Sequence, residues 1–475
     1  MSKEFHQKLA VREKVGYALG DTAANFIFQT MVMFQLAFYT DTFGITAAAA
    51  GTLLVVVRFW DAIFDPIMGV VADHTNTRWG KFRPWVLWTA VPFGIMGFLA
   101  FVTPNFAPGG RLVYAYVTYI VLMMVYSANN LPYSALSGVM TGDLAERTSL
   151  SSYRFVFAML ATMTVQGLAL PMVKYFGRGD SAQGYQWTMG IFSALAIVLF
   201  LITFASTRER IQPAPDQKGS IRQHCGDLLE NGPWMAMFAL TLILFITLSM
   251  RGSVVLYYFK YYLGREDLFS WFNVLGTSAT ILGIFFSKPL AVRFGKRNVF
   301  IGGLLGTVVF TAVFAVLPPS AVALIIGAEM LRQFLYGFSI PLLWAMMADV
   351  ADYSEWKNRR RATGMVFAAI VFALKAGLGF GGAITGYILA GFGYVPNAAQ
   401  TATALAGIRY TMSLFPAVTF GLCIVCLCLY RINKEQEIQI TEELAKRRMA
   451  YAKAGSEAAR SPGSTLVVAE TGAGH

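Results

Sequence analysis

Asp61 and Asp65 lie four residues apart in Arg58-Phe59-Trp60-Asp61-Ala62-Ile63-Phe64-Asp65-Pro66-Ile67-Met68-Gly69, which continues the apolar run from Gly51 to Val57. That spacing puts both carboxylates on one helix face. A charge at the centre of a bilayer costs from about 3 kcal/mol on insertion scales to more than about 10 in simulation. Arg58, Asp61 and Asp65 on successive turns therefore make sense on a face that lines a watery cavity, where a cation binds and leaves. The competing reading is a structural buried ion pair. Lys375 sits at mid-span of a second apolar run, Val371-Phe372-Ala373-Leu374-Lys375-Ala376-Gly377. It needs a carboxylate partner or a water-filled cavity for the same reason; the alternative is a snorkelling side chain.

No covalent chemistry is indicated. The histidines (His6, His74, His224, His475) fall in loops or tails. Cys423, Cys426 and Cys428 lie in the last apolar run and Cys225 in a polar loop. They read as filler, because a zinc site needs a converging polar second shell. No G-x-x-x-x-G-K-[ST] loop is present to cradle a nucleotide phosphate, so the chemistry is that of a reversible ion site. No cofactor is expected beyond a coupling ion, and no certain metal site.

The helices that must position these groups are legible in the composition. Of 475 residues 56% are hydrophobic and 13% charged, the latter about half the share of soluble domains; mean hydropathy is +0.54. A soluble core cannot use that much apolar surface, whereas a bundle of membrane helices can. The net charge of +12 does not point to nucleic acid, since the basic residues sit in short loops between apolar runs, as the positive-inside rule requires. Met1 to Lys14 is polar, with no apolar core or cleavage site of a signal peptide.

At about 20 apolar residues per span, twelve helices are predicted: 15–43, 46–73, 84–104, 111–140, 153–175, 186–206, 233–262, 268–292, 298–318, 321–349, 362–391 and 408–431. Pro66, Pro132 and Pro341 are expected near helix ends or turns, where they break the hydrogen-bond ladder. With both termini cytosolic, the outside holds few basic residues (Arg111, Arg178, Lys260, Arg265, Arg409). The expected plan is an N-terminal six-helix bundle (1–206), a cytosolic linker (207–232), a C-terminal six-helix bundle (233–432) and a partly disordered cytosolic tail (433–475). An internal repeat supports the split: Arg78-Trp79-Gly80-Lys81 recurs as Arg293-Phe294-Gly295-Lys296, and Leu131-Pro132-Tyr133 is echoed by Ile340-Pro341-Leu342. Two parallel six-helix repeats with basic loops after the second helix of each are the plan of the major facilitator superfamily. The fold class is thus an all-α membrane protein of twelve helices in two pseudo-symmetric bundles.

Within that superfamily the chain resembles the glycoside–pentoside–hexuronide:cation symporters. The resemblance rests on Gly20-Asp21 with Asn25, Tyr39-Thr40-Asp41, the Arg58–Gly69 motif, Arg78-Trp79-Gly80-Lys81-Phe82-Arg83-Pro84-Trp85, Asn130-Leu131-Pro132-Tyr133 and Ala348-Asp349-Val350-Ala351-Asp352-Tyr353-Ser354-Glu355. It runs from about residue 12 to 432. It implies a secondary symporter in the inner membrane, both termini cytosolic, importing a glycoside or small oligosaccharide by alternating access, not an enzyme. The family's cation carboxylates fall on Asp61 and Asp65 and its helix-4 hydroxyl on Ser127. A sodium-binding asparagine of the family falls on Phe64. Phenylalanine supplies no hard oxygen, whereas a proton needs only one carboxylate, so H+ is favoured over Na+. Sugar-gripping positions fall on Asn25 and Asn130, whose amides still donate and accept. The helix-5 arginine falls on Arg154 and the helix-11 lysine on Lys375, which is predicted to face Asp61 or Asp65 across the two halves.

Tyr126 and Trp344 are candidate stacking surfaces for a pyranose. Asp73, Arg78, Gly80 and Lys81, with Asp349, Asp352 and Arg361 in the second half, read as a conformational latch. Arg154 competes with a role as a cytosolic helix-start anchor. Glu329 and Arg332 read as a local pair, and Arg251 as a structural partner or the contact of an anionic sugar. The other readings are a carrier of a lipid or another amphipathic solute, and a sensor or enzyme reusing the fold. The partners implied are a sugar and membrane lipid, with no nucleic acid and a monomeric state.

Overall fold

The computed structural model describes residues 8–141, 144–210, 231–358 and 363–432, and short stretches at 434–436, 438–440 and 442–444. Among these residues the chain forms helices and no β-strand. The N-terminal half comprises α1 (Val11–Ala37), α2 (Ala47–His74), α3 (Arg83–Leu99), α4 (Pro108–Met140), α5 (Leu144–Gly177) and α6 (Ser181–Ser206). The second comprises α7 (Gly232–Tyr257), α8 (Phe269–Phe294), α9 (Lys296–Val313), α10 (Val322–Gly337), α11 (Ser339–Asn358), α12 (Thr363–Gly391), α13 (Ala402–Met412) and α14 (Leu414–Leu429).

Among the described residues, ten stretches are long and apolar enough to cross a membrane. The other two of the expected twelve are α1, whose first turns carry Arg12, Glu13, Lys14 and Asp21, and α3, at 17 residues. Both pack within the bundle, α1 against α5 and α6 and α3 against α4 and α6.

Proline behaves in two ways. Pro66 and Pro132 lie inside α2 and α4 rather than at their ends, because neighbouring helices and local adjustments make up for one missing bond in a membrane bundle. The tenth and twelfth spans are instead broken, at Phe338 and Ser413. Each break stands three residues before a proline, Pro341 or Pro416. A proline there has no N–H for the carbonyl four residues back. One freed group is used directly, the Met412 carbonyl accepting from Arg251 Nη1 at 2.6 Å; at the other break the adjacent Phe338 carbonyl accepts from Ser287 Oγ at 2.9 Å.

Small residues bring the halves together, as expected where packing rather than hydrophobicity draws helices close. α2 and α12 cross where a β-carbon on Gly51 would lie 2.9 Å from the Ala383 carbonyl oxygen, and one on Gly386 would lie 2.6 Å from that of Ala47. α7 touches α12 similarly, with Gly377 against the Leu242 carbonyl.

Both α1 and α7 end in a single π-helical segment, Phe38–Thr42 and Tyr258–Tyr262. These segments meet at one end of the bundle. Asp41 accepts from Lys260 Nζ at 2.5 Å, Tyr261 Oη at 2.6 Å and Tyr394 Oη. Its backbone carbonyl takes Asn397 Nδ2 at 2.5 Å, and Thr40 meets Tyr257 Oη at 2.7 Å. One carboxylate thus ties the first half to two loops of the second.

Candidate functional site

A cavity of about 710 Å³ lies between the halves, bounded by α1, α2, α4 and α5 on one side and α7, α8, α10, α11 and α12 on the other. Arg58, Arg154 and Lys375 line it. Asp61 is 2% exposed; its Oδ1 accepts from Ser127 Oγ at 2.8 Å. Its Oδ2 stands 3.7 Å from Arg58 Nη1 and 3.7 Å from Lys375 Nζ. Lys375 is hydrogen-bonded to Asp65 Oδ2, so one ammonium bridges both carboxylates across the two halves. Asp65 Oδ1 is buried without a partner. Gly379, one helical turn beyond Lys375, makes room: a β-carbon there would overlap Arg58 Cγ. Phe64 packs against an apolar core cluster that draws on both halves.

Of the residues expected to meet the sugar, Tyr126, Asn130, Arg154 and Trp344 line the cavity with Lys375. Tyr126 stacks on Phe28 at 5.3 Å between centroids. Asn25 is not among the lining residues. Its Nδ2 is spent on the Asp21 carbonyl at 2.8 Å, and Gln29, one turn on, lines the cavity instead. Arg154 is not a helix-start anchor, because α5 begins at Leu144, nearly three turns earlier. It pairs with Asp21 at 3.2 Å and lies over the Tyr133 ring at 5.2 Å.

Polar cavity residues that the sequence reading did not single out include Gln29, Gln166, Asn273, Thr277 and Gln333. Thr277 donates to Gln166 at 2.6 Å, joining α8 to α5. Their signal was present as isolated amides inside apolar runs, but an amide can equally bond its own helix, as Asn25 does.

The residues expected to form a latch divide by repeat. Gly80 has φ of +112°, a conformation that favours glycine. The turn it makes lets the backbone N–H groups of Lys81, Phe82 and Arg83 converge on the Glu209 carboxylate at 2.7–2.8 Å. Glu209 therefore caps α3 from the start of the linker, a role sequence reading missed because the cap comes from a remote segment. Arg78 lies over the Trp79 ring at 4.5 Å. In the second half Lys296 Nζ meets Asp349 at 2.7 Å, and Asp352 sits on α11. The Asp73 side chain and all of Arg361 lie outside the described residues.

Helical repeats enclosing a charged central cavity define a major facilitator carrier, and the comparisons with known proteins agree. The chain belongs to the MFS/sugar transport protein family, whose model matches residues 16–434, and within it to the glycoside–pentoside–hexuronide:cation symporters that its motifs resemble. It is 36% identical over 453 residues to a putative glycoside/cation symporter of Escherichia coli (strain K12), covering 95% of this chain and 98% of that relative. It is 37% identical over 432 residues to the isoprimeverose transporter of Lactiplantibacillus pentosus, covering 89% of each. Among solved structures, a bacterial homolog of the human lysosomal transporter Spinster superposes with a TM-score of 0.62 at 14% identity, over 90% of this chain and 97% of that one. The protein is a multi-pass membrane carrier, not an enzyme.

Proposed function

We propose that the protein imports a glycoside or small oligosaccharide together with a proton by alternating access, with both termini in the cytosol. The observation that carries this reading is Lys375 bridging Asp61 and Asp65 at the wall of the central cavity. The ammonium occupies the place between the two carboxylates that a coupling ion would take. A proton arriving on Asp65, whose Oδ1 has no other partner, weakens the hold on Lys375 and frees it towards the cavity. There the sugar offers it hydroxyl oxygens. Sugar and proton then favour each other's binding by the same factor, as linkage requires, and the halves rock about the α2–α12 contact.

Two features support a proton over sodium. Phe64 brings no oxygen to the carboxylates, and Ser127 already donates to Asp61. The amides of Gln29, Asn130, Asn273 and Gln333 on the cavity wall support a hydroxyl-rich solute over a lipid. The test is uptake of labelled glycosides into sealed vesicles under an imposed proton or sodium gradient, with Asp61→Asn and Lys375→Val beside the parent chain. Proton-driven accumulation, indifferent to sodium and lost in Asp61→Asn, is the expected result. Sodium-driven accumulation would overturn the choice of ion, and no accumulation under either gradient would overturn symport.

A further inference from the structure

The break at Phe338 has a second effect, outside the central cavity. Up to the break, α10 lies hard against α8: a β-carbon on Gly283 would overlap the Phe334 carbonyl oxygen, and one on Gly337 would overlap that of Thr280. Past the break α11 parts from α8, and a groove of about 470 Å³ opens between them, within the size range of ligand pockets. Ile284 and Ala291 of α8 and Leu342 and Ala345 of α11 give it apolar walls. Ile438, from the segment after α14, makes another. That segment is anchored on its own account. Ile440 and Leu444 are buried in the core of the second half, and Glu443 accepts from Trp356 Nε1 at 2.7 Å.

Three lysines stand at this groove, Lys288, Lys296 and Lys434. Lys296 is matched by Asp349, and Lys434 Nζ donates to the Val292 carbonyl at 2.9 Å. Lys288 is exposed and meets no acceptor among the described residues. It lies six residues before the end of α8, roughly 9 Å along the axis. Exposed Phe285 and Val292 share its helix face. An ammonium set that deep among apolar side chains is costly unless an anion or water meets it.

The two repeats differ at the same place. In the first half the backbone N–H groups of Lys81, Phe82 and Arg83 close on the Glu209 carboxylate. Their counterparts in the second repeat are Lys296, Arg297 and Asn298, at the start of α9. Among the described residues no carboxylate takes the N–H groups of Arg297 and Asn298. Gly295 and Lys296 line the groove, so an anion within it would take the position that Glu209 fills in the first half.

We propose that this groove binds an anionic phospholipid, its acyl chains between α8 and α11 and its phosphate among Lys288, Lys434 and the first turn of α9. Apolar walls continuous with an exposed apolar helix face, beneath a cationic mouth, fit a charged lipid and not a soluble anion. With the termini in the cytosol, as proposed above, the lipid belongs to the inner leaflet. Because Lys434 and Ile438 come from beyond α14, the bound lipid also ties that segment to α8 and α11.

The test is lipid retention by the purified full chain, read by native mass spectrometry from a neutral detergent. Phosphatidylglycerol and phosphatidylcholine with the same acyl chains compete at equal concentration. Phosphatidylglycerol should be retained about fivefold or more over phosphatidylcholine. Replacing both lysines, Lys288→Gln with Lys434→Gln, should bring the two lipids close to parity. Ala345→Trp fills the groove and alters no charge, and it should lower phosphatidylglycerol retention by about the same factor. Excess glycerol 3-phosphate should displace neither lipid. The competition uses the unaltered chain and Ala345→Trp keeps every lysine, so the site is decided even if the double variant does not fold. Equal retention by the parent chain, a preference that survives either replacement, or displacement by glycerol 3-phosphate would overturn it. No sugar or gradient enters the measurement, so its failure leaves symport standing, and failed uptake leaves the lipid site standing.

Discussion

At the scale of single residues, the site turns on which oxygen of which carboxylate is already occupied. Asp61 is held by Ser127, Arg58 and Lys375, while Asp65 presents one oxygen with no partner. The two carboxylates therefore differ in role although the sequence presents them as equivalents. Ser127→Ala removes one buried hydrogen bond to Asp61, worth about 1 kcal/mol. Gradient-driven uptake should remain, with its half-saturating proton concentration shifted by roughly fivefold, as measured by uptake against external pH. Asp65→Asn should be harsher: Lys375 loses its direct partner, and accumulation should vanish while solute exchange without a gradient persists. Counterflow measured beside net uptake separates the two effects.

Among the elements, the contacts between helices are as specific as the charges. Gly386 meets the backbone of α2, which cannot move aside, so Gly386→Val should separate α2 from α12. A lowered Tm of the purified protein in detergent and uptake below about a tenth of the parent value are expected. Pro416→Ala returns an N–H that can reach the Met412 carbonyl, in competition with Arg251. α13 and α14 should then straighten into one helix and Arg251 should lose that acceptor, read as a changed Tm of the purified protein in detergent.

Much at this scale was legible in the sequence. Apolar runs located the spans to within a few residues at most ends, and Lys375 was placed at mid-span on hydropathy alone. Pro341 was expected near a helix end and stands beside the break at Phe338, whereas the break at Ser413 was not foreseen, because the run stays apolar through it. α5 was started too late because its first turns are polar. Asn25 was expected to meet the sugar, yet the wall amide is Gln29: the two share a helix face one turn apart, and nothing in a single sequence reports how far along the helix the cavity reaches. Glu209 capping α3 is a contact between segments far apart in the chain, which local pattern does not encode.

For the whole molecule, the closed end depends on Asp41. Lysine, two tyrosines and an asparagine of the second half converge on it from α7 and from the loop after α12. Asp41→Asn keeps the size and removes the charge, so closure at this end should weaken without disturbing either half. Attaching a membrane-impermeant thiol reagent to a single cysteine placed at Met33, which lines the cavity, reports the change. Labelling from the outside should rise severalfold in the variant, and an unchanged rate would place the closure elsewhere.

The balance of charge around Lys375 has an electrical side. Asp61 and Asp65 are offset by Arg58 and Lys375, so the cluster crosses the membrane field carrying no net formal charge. In the symport proposed above, membrane voltage then does no work on this cluster during the return without cargo. It acts on the loaded crossing, where one added proton moves with about 2.3 kcal/mol per 100 mV behind it. A neutral glycoside would thus be concentrated by voltage as well as by pH, whereas an acidic one would cancel the proton's charge and ride on pH alone. An electrode across the same vesicles would register a current for the first cargo and silence for the second.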